Sequence, residues 1–127
     1  MKYLFDTNII IGFLKNDIKI VERAGELEEI NISVITVGEM LYGANNSEKS
    51  EVNIKKYNNF FEFCNIVDVT EKTAEFYAEI RYKLKKAGRP IPENDIWIAA
   101  IAVENGYTII TRDKHLKSIE FIKTEEW

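Results

Sequence analysis

Apolar positions in this 127-residue chain come in short runs whose rhythm changes repeatedly. Tyr3-Leu4-Phe5 is a brief apolar run that stops at Asp6-Thr7-Asn8, and Ile9-Ile10-Ile11 resumes at once. This reads as a strand followed by a helix over residues 8–15, with a turn at Asn16-Asp17. Ile18, Val21, Ala24 and Leu27 recur every third residue and predict a second helix. Residues 31–35 alternate and are β-branched, which predicts a strand. A helix over 36–44 follows, broken by Asn45-Asn46-Ser47. Ile54, Tyr57, Phe61 and Cys64 share one face of another helix. Residues 65–69 form a third strand. Thr70 then caps a long helix with Tyr77, Ile80, Leu84 and Ala87 inward, ended by Gly88 and Pro90. Residues 95–105 are apolar on nearly every side, the pattern of a central buried helix, and Gly106 ends it. A fourth strand covers 107–111, and Phe121-Ile122 predicts a fifth at the edge. Strands that alternate with helices in this way imply a three-layer α/β/α fold around a parallel sheet of four to five strands.

Length and composition narrow this further. A chain of this size forms one domain, residues 1–127. It is 46% hydrophobic and 30% charged, enough to bury a core and remain in water. No apolar stretch reaches the roughly 20 residues of a membrane span. The first apolar run is interrupted too early for a secretory leader. Cys64 is the one cysteine, so no internal disulfide forms, and the expected compartment is the reducing cytoplasm. A formal net charge of −4 argues against holding nucleic acid by bulk positive charge.

Candidate chemistry lies in four acids at the ends of elements. Asp6 ends the first strand, where open α/β sheets bind ligands. Glu39 lies in the first turns of the helix after the second strand. Asp95 opens the buried helix, and Asp113 follows the fourth strand. A helix leading into a parallel strand runs antiparallel to it, which puts Asp95 and Asp113 at the same sheet edge. Each acid also has a capping alternative. Asp6 suits a helix N-cap, and Thr36 with Glu39 suits a capping box. Asp95 complements a helix dipole, and Asp113 caps a short helix over 114–118. Taken together, four carboxylates at one edge need a counter-charge. Two like charges about 4 Å apart repel by about 4 kcal/mol at an effective dielectric of 20. Hard oxygen ligands without a cysteine or histidine set suit Mg²⁺ or Mn²⁺.

The segments Leu4-Phe5-Asp6-Thr7-Asn8, Thr36-Val37-Gly38-Glu39-Met40, Asn94-Asp95-Ile96-Trp97-Ile98-Ala99-Ala100 and Ile110-Thr111-Arg112-Asp113 resemble the four acidic motifs of the PIN-domain ribonucleases. The length and order of elements resemble the VapC toxins of toxin–antitoxin pairs. The resemblance implies a Mg²⁺-dependent endoribonuclease, a homodimer, and inhibition by a small VapB-type antitoxin. It implies that Asp6, Glu39, Asp95 and Asp113 are metal ligands, with Thr111 as a supporting hydroxyl and Asn8 as a lesser member. Gly88-Arg89-Pro90-Ile91 and Trp127 are similar to the VapC subgroup that cuts initiator tRNA.

Around that site, Arg89, Arg112 and Lys114 are candidates to hold the RNA backbone. The rest of the basic run, Lys83, Lys85 and Lys86, reads as a solvated helix end. His115 reads as a surface residue, Cys64 as a small core residue, and Tyr42 and Trp97 as core or dimer contacts. The rival of another class is a receiver-like phosphoacceptor domain, with Asp68 near the end of the third strand as the acceptor. That alternative leaves Glu39 and Asp95 unexplained.

Overall fold

A computed structural model describes residues 2–127. The strands are β1 (Tyr3–Phe5), β2 (Ile30–Ser33), β3 (Cys64–Val67), β4 (Thr108–Ile110) and β5 (Thr124–Glu125). The helices are α1 (Thr7–Leu14), α2 (Ile18–Ala24), α3 (Val34–Asn45), α4 (Ser50–Phe61), α5 (Glu71–Lys86), α6 (Glu93–Asn105) and α7 (Lys114–Lys117). The sheet order is β3-β2-β1-β4-β5, with every pairing parallel. The first strand in the chain is therefore central, with Tyr3 opposite Thr108 and Leu4 opposite Asn31.

Side-chain alternation along the central strands builds two cores, one on each face. Leu4 and Ile109 point into a layer closed by Ile80, Leu84, Ile98, Ile101 and Leu116. Phe5 and Ile110 point the other way, onto Ile9, Ile10, Ile20, Met40 and Phe61. This is the three-layer α/β/α architecture that the pattern predicts. Helix α6 is lined by Ala99, Ala100 and Ala102, all at most 1% exposed, so the sheet and α5 approach it closely. Gly106, at φ 71°, ends it in the left-handed conformation that glycine adopts without strain. Thr70 caps α5 by accepting from the Thr73 amide, and the Thr73 hydroxyl accepts in return from the Thr70 amide.

Several element boundaries differ from the sequence pattern, each for a local reason. The second strand stops at Ser33 and α3 starts at Val34, although Val34 and Ile35 are β-branched. The Ser33 hydroxyl accepts from the Thr36 amide at 3.0 Å, and that cap wins over strand propensity. Thr36 is consequently inside the helix, and the Thr36–Glu39 capping box, the alternative reading of Glu39, does not form. In α2 the buried positions are Ile20 and Ala24, spaced by four, whereas Ile18 is 70% exposed. Cys64 opens β3 opposite Ile30 rather than extending the α4 face, and it is only half-buried. Ala87 is exposed beyond the end of α5. The edge strand falls at Thr124–Glu125, not Phe121-Ile122, because Thr124 is the residue paired with Ile109. Helix α6 begins at Glu93, two residues before Asp95, after Pro92. No described helix is long and apolar enough to cross a membrane.

Candidate active site

Asp6 sits one residue beyond β1, and its amide still donates to the Ile110 carbonyl at 3.0 Å. That bond extends the β1–β4 ladder and fixes the backbone carrying the carboxylate. Only 4% of Asp6 is exposed. Its Oδ1 accepts from the Thr7 amide at 2.8 Å, and its Oδ2 accepts from the Thr111 hydroxyl at 2.8 Å. Capping and a place in the acid cluster therefore coexist in one side chain. Burial pushes the Asp6 carboxyl above its ordinary range. The two hydrogen bonds oppose that rise, and the charges of Asp113 and Glu39 reinforce it.

Thr111 is fully buried one residue past β4. Its hydroxyl donates to Asp6 and accepts from the Asp113 amide at 2.9 Å. One hydroxyl thus ties the side chain of one acid to the backbone of another. Asp113 itself caps α7 through the His115 amide, at 2.7 Å from Oδ1.

Glu39 is half-buried on α3, which starts at the carboxyl end of β2. Its Oε1 accepts from the Thr7 hydroxyl at 2.6 Å, and its Oε2 lies 3.5 Å from the Asn94 Nδ2 donor. The Thr7 hydroxyl also lies 3.1 Å from that of Thr36, which in turn is 3.3 Å from that of Ser33. Thr7 and Asn94 belong to the quoted motifs, yet the sequence gives them no role. Their contacts to Glu39 span 32 and 55 residues, and no local spacing signals them.

Asp95 is the third residue of α6 and 8% exposed. Burial raises its carboxyl pKa to about 7, and the charges of Asp113, Asp6 and Glu39 add to the rise. His115 pulls weakly the other way. Glu39, Asp95 and Asp113 line one open cleft of about 390 Å³, with Pro92, Glu93 and Asn94. Asp6, buried just past β1, does not line that cleft; the four predicted acids share the carboxyl edge of the sheet, three of them on the cleft.

The cluster is anionic, and no lysine or arginine is paired with any of its four carboxylates among the described residues. Among those residues no three acidic, cysteine or histidine side chains converge as a ready-made cage for one ion. The donor chemistry fits a hard divalent cation all the same. The acids are oxygen ligands; burial, reinforced by the neighbouring carboxylates, raises the proton affinity of Asp6 and Asp95, and a bound cation would reverse that penalty.

The remaining candidates are dispersed. Asn8 is exposed on α1. Lys114 is exposed next to Asp113. Arg89 is exposed and lines a separate cavity with Lys83, Ser118 and Phe121. Arg112 is engaged elsewhere: its Nε donates to the Trp127 carbonyl at 2.6 Å, and it pairs with Asp17 at 3.0 Å. Trp127 packs edge-on against Tyr3 and Phe5. Trp97 stacks on Tyr77, with ring centres 3.9 Å apart. Tyr42 is no core residue, being 69% exposed. His115 is on the surface, as expected. Asp68 is exposed beyond the edge strand β3, two strands from β1, so the phosphoacceptor candidate stands apart from the acid at the end of the central strand.

Comparison with known proteins agrees with this fold. The PIN domain family profile matches residues 3–122. Ribonuclease VapC2 of Haemophilus influenzae is 35% identical over 130 residues, covering 100% of this chain and 98% of that protein. The tRNA(fMet)-specific endonuclease VapC of Shigella flexneri is 30% identical, with the same coverage. Among solved structures, VapBC2 from Rickettsia felis bound to a promoter DNA fragment superposes with a TM-score of 0.92 at 31% identity, covering 100% of this chain and 99% of that one.

Proposed function

This chain belongs to the PIN domain family, and from that premise we propose that it is a VapC-type endoribonuclease, the toxin of a toxin–antitoxin pair. The observation that carries the reading is that four carboxylates from four separate elements share one edge of the sheet and feel one another's charge, with no lysine or arginine paired to any of them among the described residues. On this reading Asp6, Glu39, Asp95 and Asp113 hold Mg²⁺, with Mn²⁺ as a substitute. When bound, the ion supplies a water of lowered pKa and neutralises charge on the phosphate. The protein's own part is placement. Thr111 holds Asp6 and Asp113 in one register, and Thr7 orients Glu39. Helix α6 delivers Asp95 from the opposite face of the sheet. Water attacking phosphorus in line leaves a 5′-phosphate and a 3′-hydroxyl, with no role for the 2′-hydroxyl.

The whole chain acts as one nuclease domain in the cytoplasm, as a homodimer, on RNA, and the tRNA(fMet)-specific relative makes tRNA the first substrate to test. A VapB-type antitoxin restrains it by placing an Arg or Lys among Asp6, Glu39 and Asp95. Such a charge-assisted pair in a partly buried cleft is strong.

Purified protein with Mg²⁺ should cut RNA to 5′-phosphate ends, and it should still cut where the 2′-hydroxyl is blocked. Asp6→Asn and Asp95→Asn should fold and fail to cut. Products ending in 2′,3′-cyclic phosphate, or near wild-type cleavage by either variant, would overturn the reading. Sequencing RNA 5′ ends after induction identifies the target.

A further inference from the structure

A second cleft adjoins the acidic one. It has a volume of about 570 Å³ and is lined by Val34, Ile35, Gly38, Glu39, Tyr42 and Asn94. That volume lies within the roughly 300–1,000 Å³ usual for small-ligand sites. Glu39 and Asn94 line both clefts, so the two lie side by side. Positions 34, 35, 38 and 42 share one face of α3 by helical periodicity. Gly38 leaves the middle of that face open, because a Cβ built there meets nothing within 4 Å. One turn further on, the Tyr42 ring is 69% exposed.

We propose that this cleft is a nucleobase subsite, in which the ring of Tyr42 stacks on a base of the RNA strand next to the cleaved phosphate. The inference rests on the nuclease reading above, since it takes the acidic cleft as the place where the phosphate lies. Three features select a base over other occupants. The cleft opens directly onto Glu39, so its occupant is a neighbour of the reacting group. Its nearest charge is the Glu39 carboxylate, which repels phosphate and tolerates a neutral ring. Its walls are an aromatic face, two aliphatic side chains and one amide. An amide offers both a donor and an acceptor to a base edge. Stacking on an aromatic side chain works for any base, so Tyr42 contributes grip while Asn94 is placed to contribute preference.

The test uses the intact protein with Mg²⁺ and a single-stranded RNA carrying the mapped cleavage site, with kcat and KM measured separately. Tyr42→Ala should raise KM by roughly 5- to 150-fold, the span of one base–aromatic stack. Tyr42→Phe keeps the ring and should stay within about twofold of wild type. Gly38→Leu retains a good helix former while filling the cleft floor, and it should also raise KM. Removing the base beside the cleavage site should weaken wild type, yet add little to Tyr42→Ala. If wild type cuts RNA but Tyr42→Ala has an unchanged KM, the subsite is refuted and the nuclease reading stands. A loss shared equally by Tyr42→Phe, or one that tracks a change in oligomeric state by light scattering, also refutes it: the face then serves the hydroxyl or a second copy of the chain. If wild type cuts no RNA, both readings fall together.

Discussion

Thr111 spends its single hydroxyl proton on Asp6 and takes one from the Asp113 amide. Thr111→Val keeps the shape and deletes both bonds, leaving the buried Asp6 Oδ2 without its donor. We expect metal affinity or activity to fall by roughly 10- to 100-fold, the usual cost of losing a group that orients a ligand. Thr111→Ser should recover most of it, and calorimetric Mg²⁺ titration of the three proteins checks this. Asp95 gives a second prediction, with a sign that separates metal ligand from cap. Its folded pKa of about 7 lies above its unfolded value of 3.8. Between those values the folded state binds more protons, so the stability it contributes is complete below about pH 4 and is lost as pH rises to about 7. Asp6 shifts in the same direction. In chelator, Asp95→Asn should therefore be more stable than wild type at pH 7, by on the order of 1–3 kcal/mol, with the gap closing toward pH 4. Mg²⁺ should raise the Tm of wild type more than that of the variant. An acid that only complements the α6 dipole predicts the reverse, a loss of roughly 0.3–1 kcal/mol on substitution. Thermal melts at two pH values, with and without Mg²⁺, decide the matter.

Helix α3 shows how a cap sets a site at the level of an element. Ser33 is fully buried, and its hydroxyl holds the first turn of the helix that carries Glu39. Starting the helix at Val34 turns Thr36 toward Thr7, so cap, helix and carboxylate form one hydroxyl-linked series. Ser33→Ala should cost about 1–2 kcal/mol in urea unfolding, through the lost cap and a buried amide left without its partner. It should also slow RNA cleavage, since Glu39 loses its frame, whereas Ser33→Thr should retain both properties. The same helix marks how far the sequence is legible. Strand–acid–helix punctuation exposes Asp6 and Asp113, because a carboxylate just past an apolar run breaks the rhythm visibly, while Asp95 shows as the acid that opens an apolar helix and Glu39 by its place in the first turns of a helix that leaves the same sheet edge. Val34 and Ile35 mislead for the opposite reason: their β-branching is a propensity of a few tenths of a kcal/mol, and one buried hydrogen bond outweighs it. Strand β5 has two residues, too few for any alternation to register. Thr7 and Asn94 stay silent because what they touch is set by the sheet order and not by spacing.

Across the whole molecule, the strand encoded first lies at the centre of the sheet, and the partner on one side of it is encoded near residue 108. The two cores form on opposite faces of that strand, so neither closes until β4 has joined β1. Such long-range pairing is slow relative to helix formation, because chain ends must meet before contacts reward them. The acids follow the same plan: Asp6 and Glu39 precede α5, while Asp95 and Asp113 come after it. This arrangement governs when the toxin becomes dangerous to its maker. A ribosome midway through the message has joined two of the four carboxylates into the chain and made a strand with one neighbour missing. On the proposed reading of the site, the nascent chain is harmless until Asp113 has emerged, and translation itself delays the onset of poisoning, leaving an interval in which a restraining partner can already be waiting.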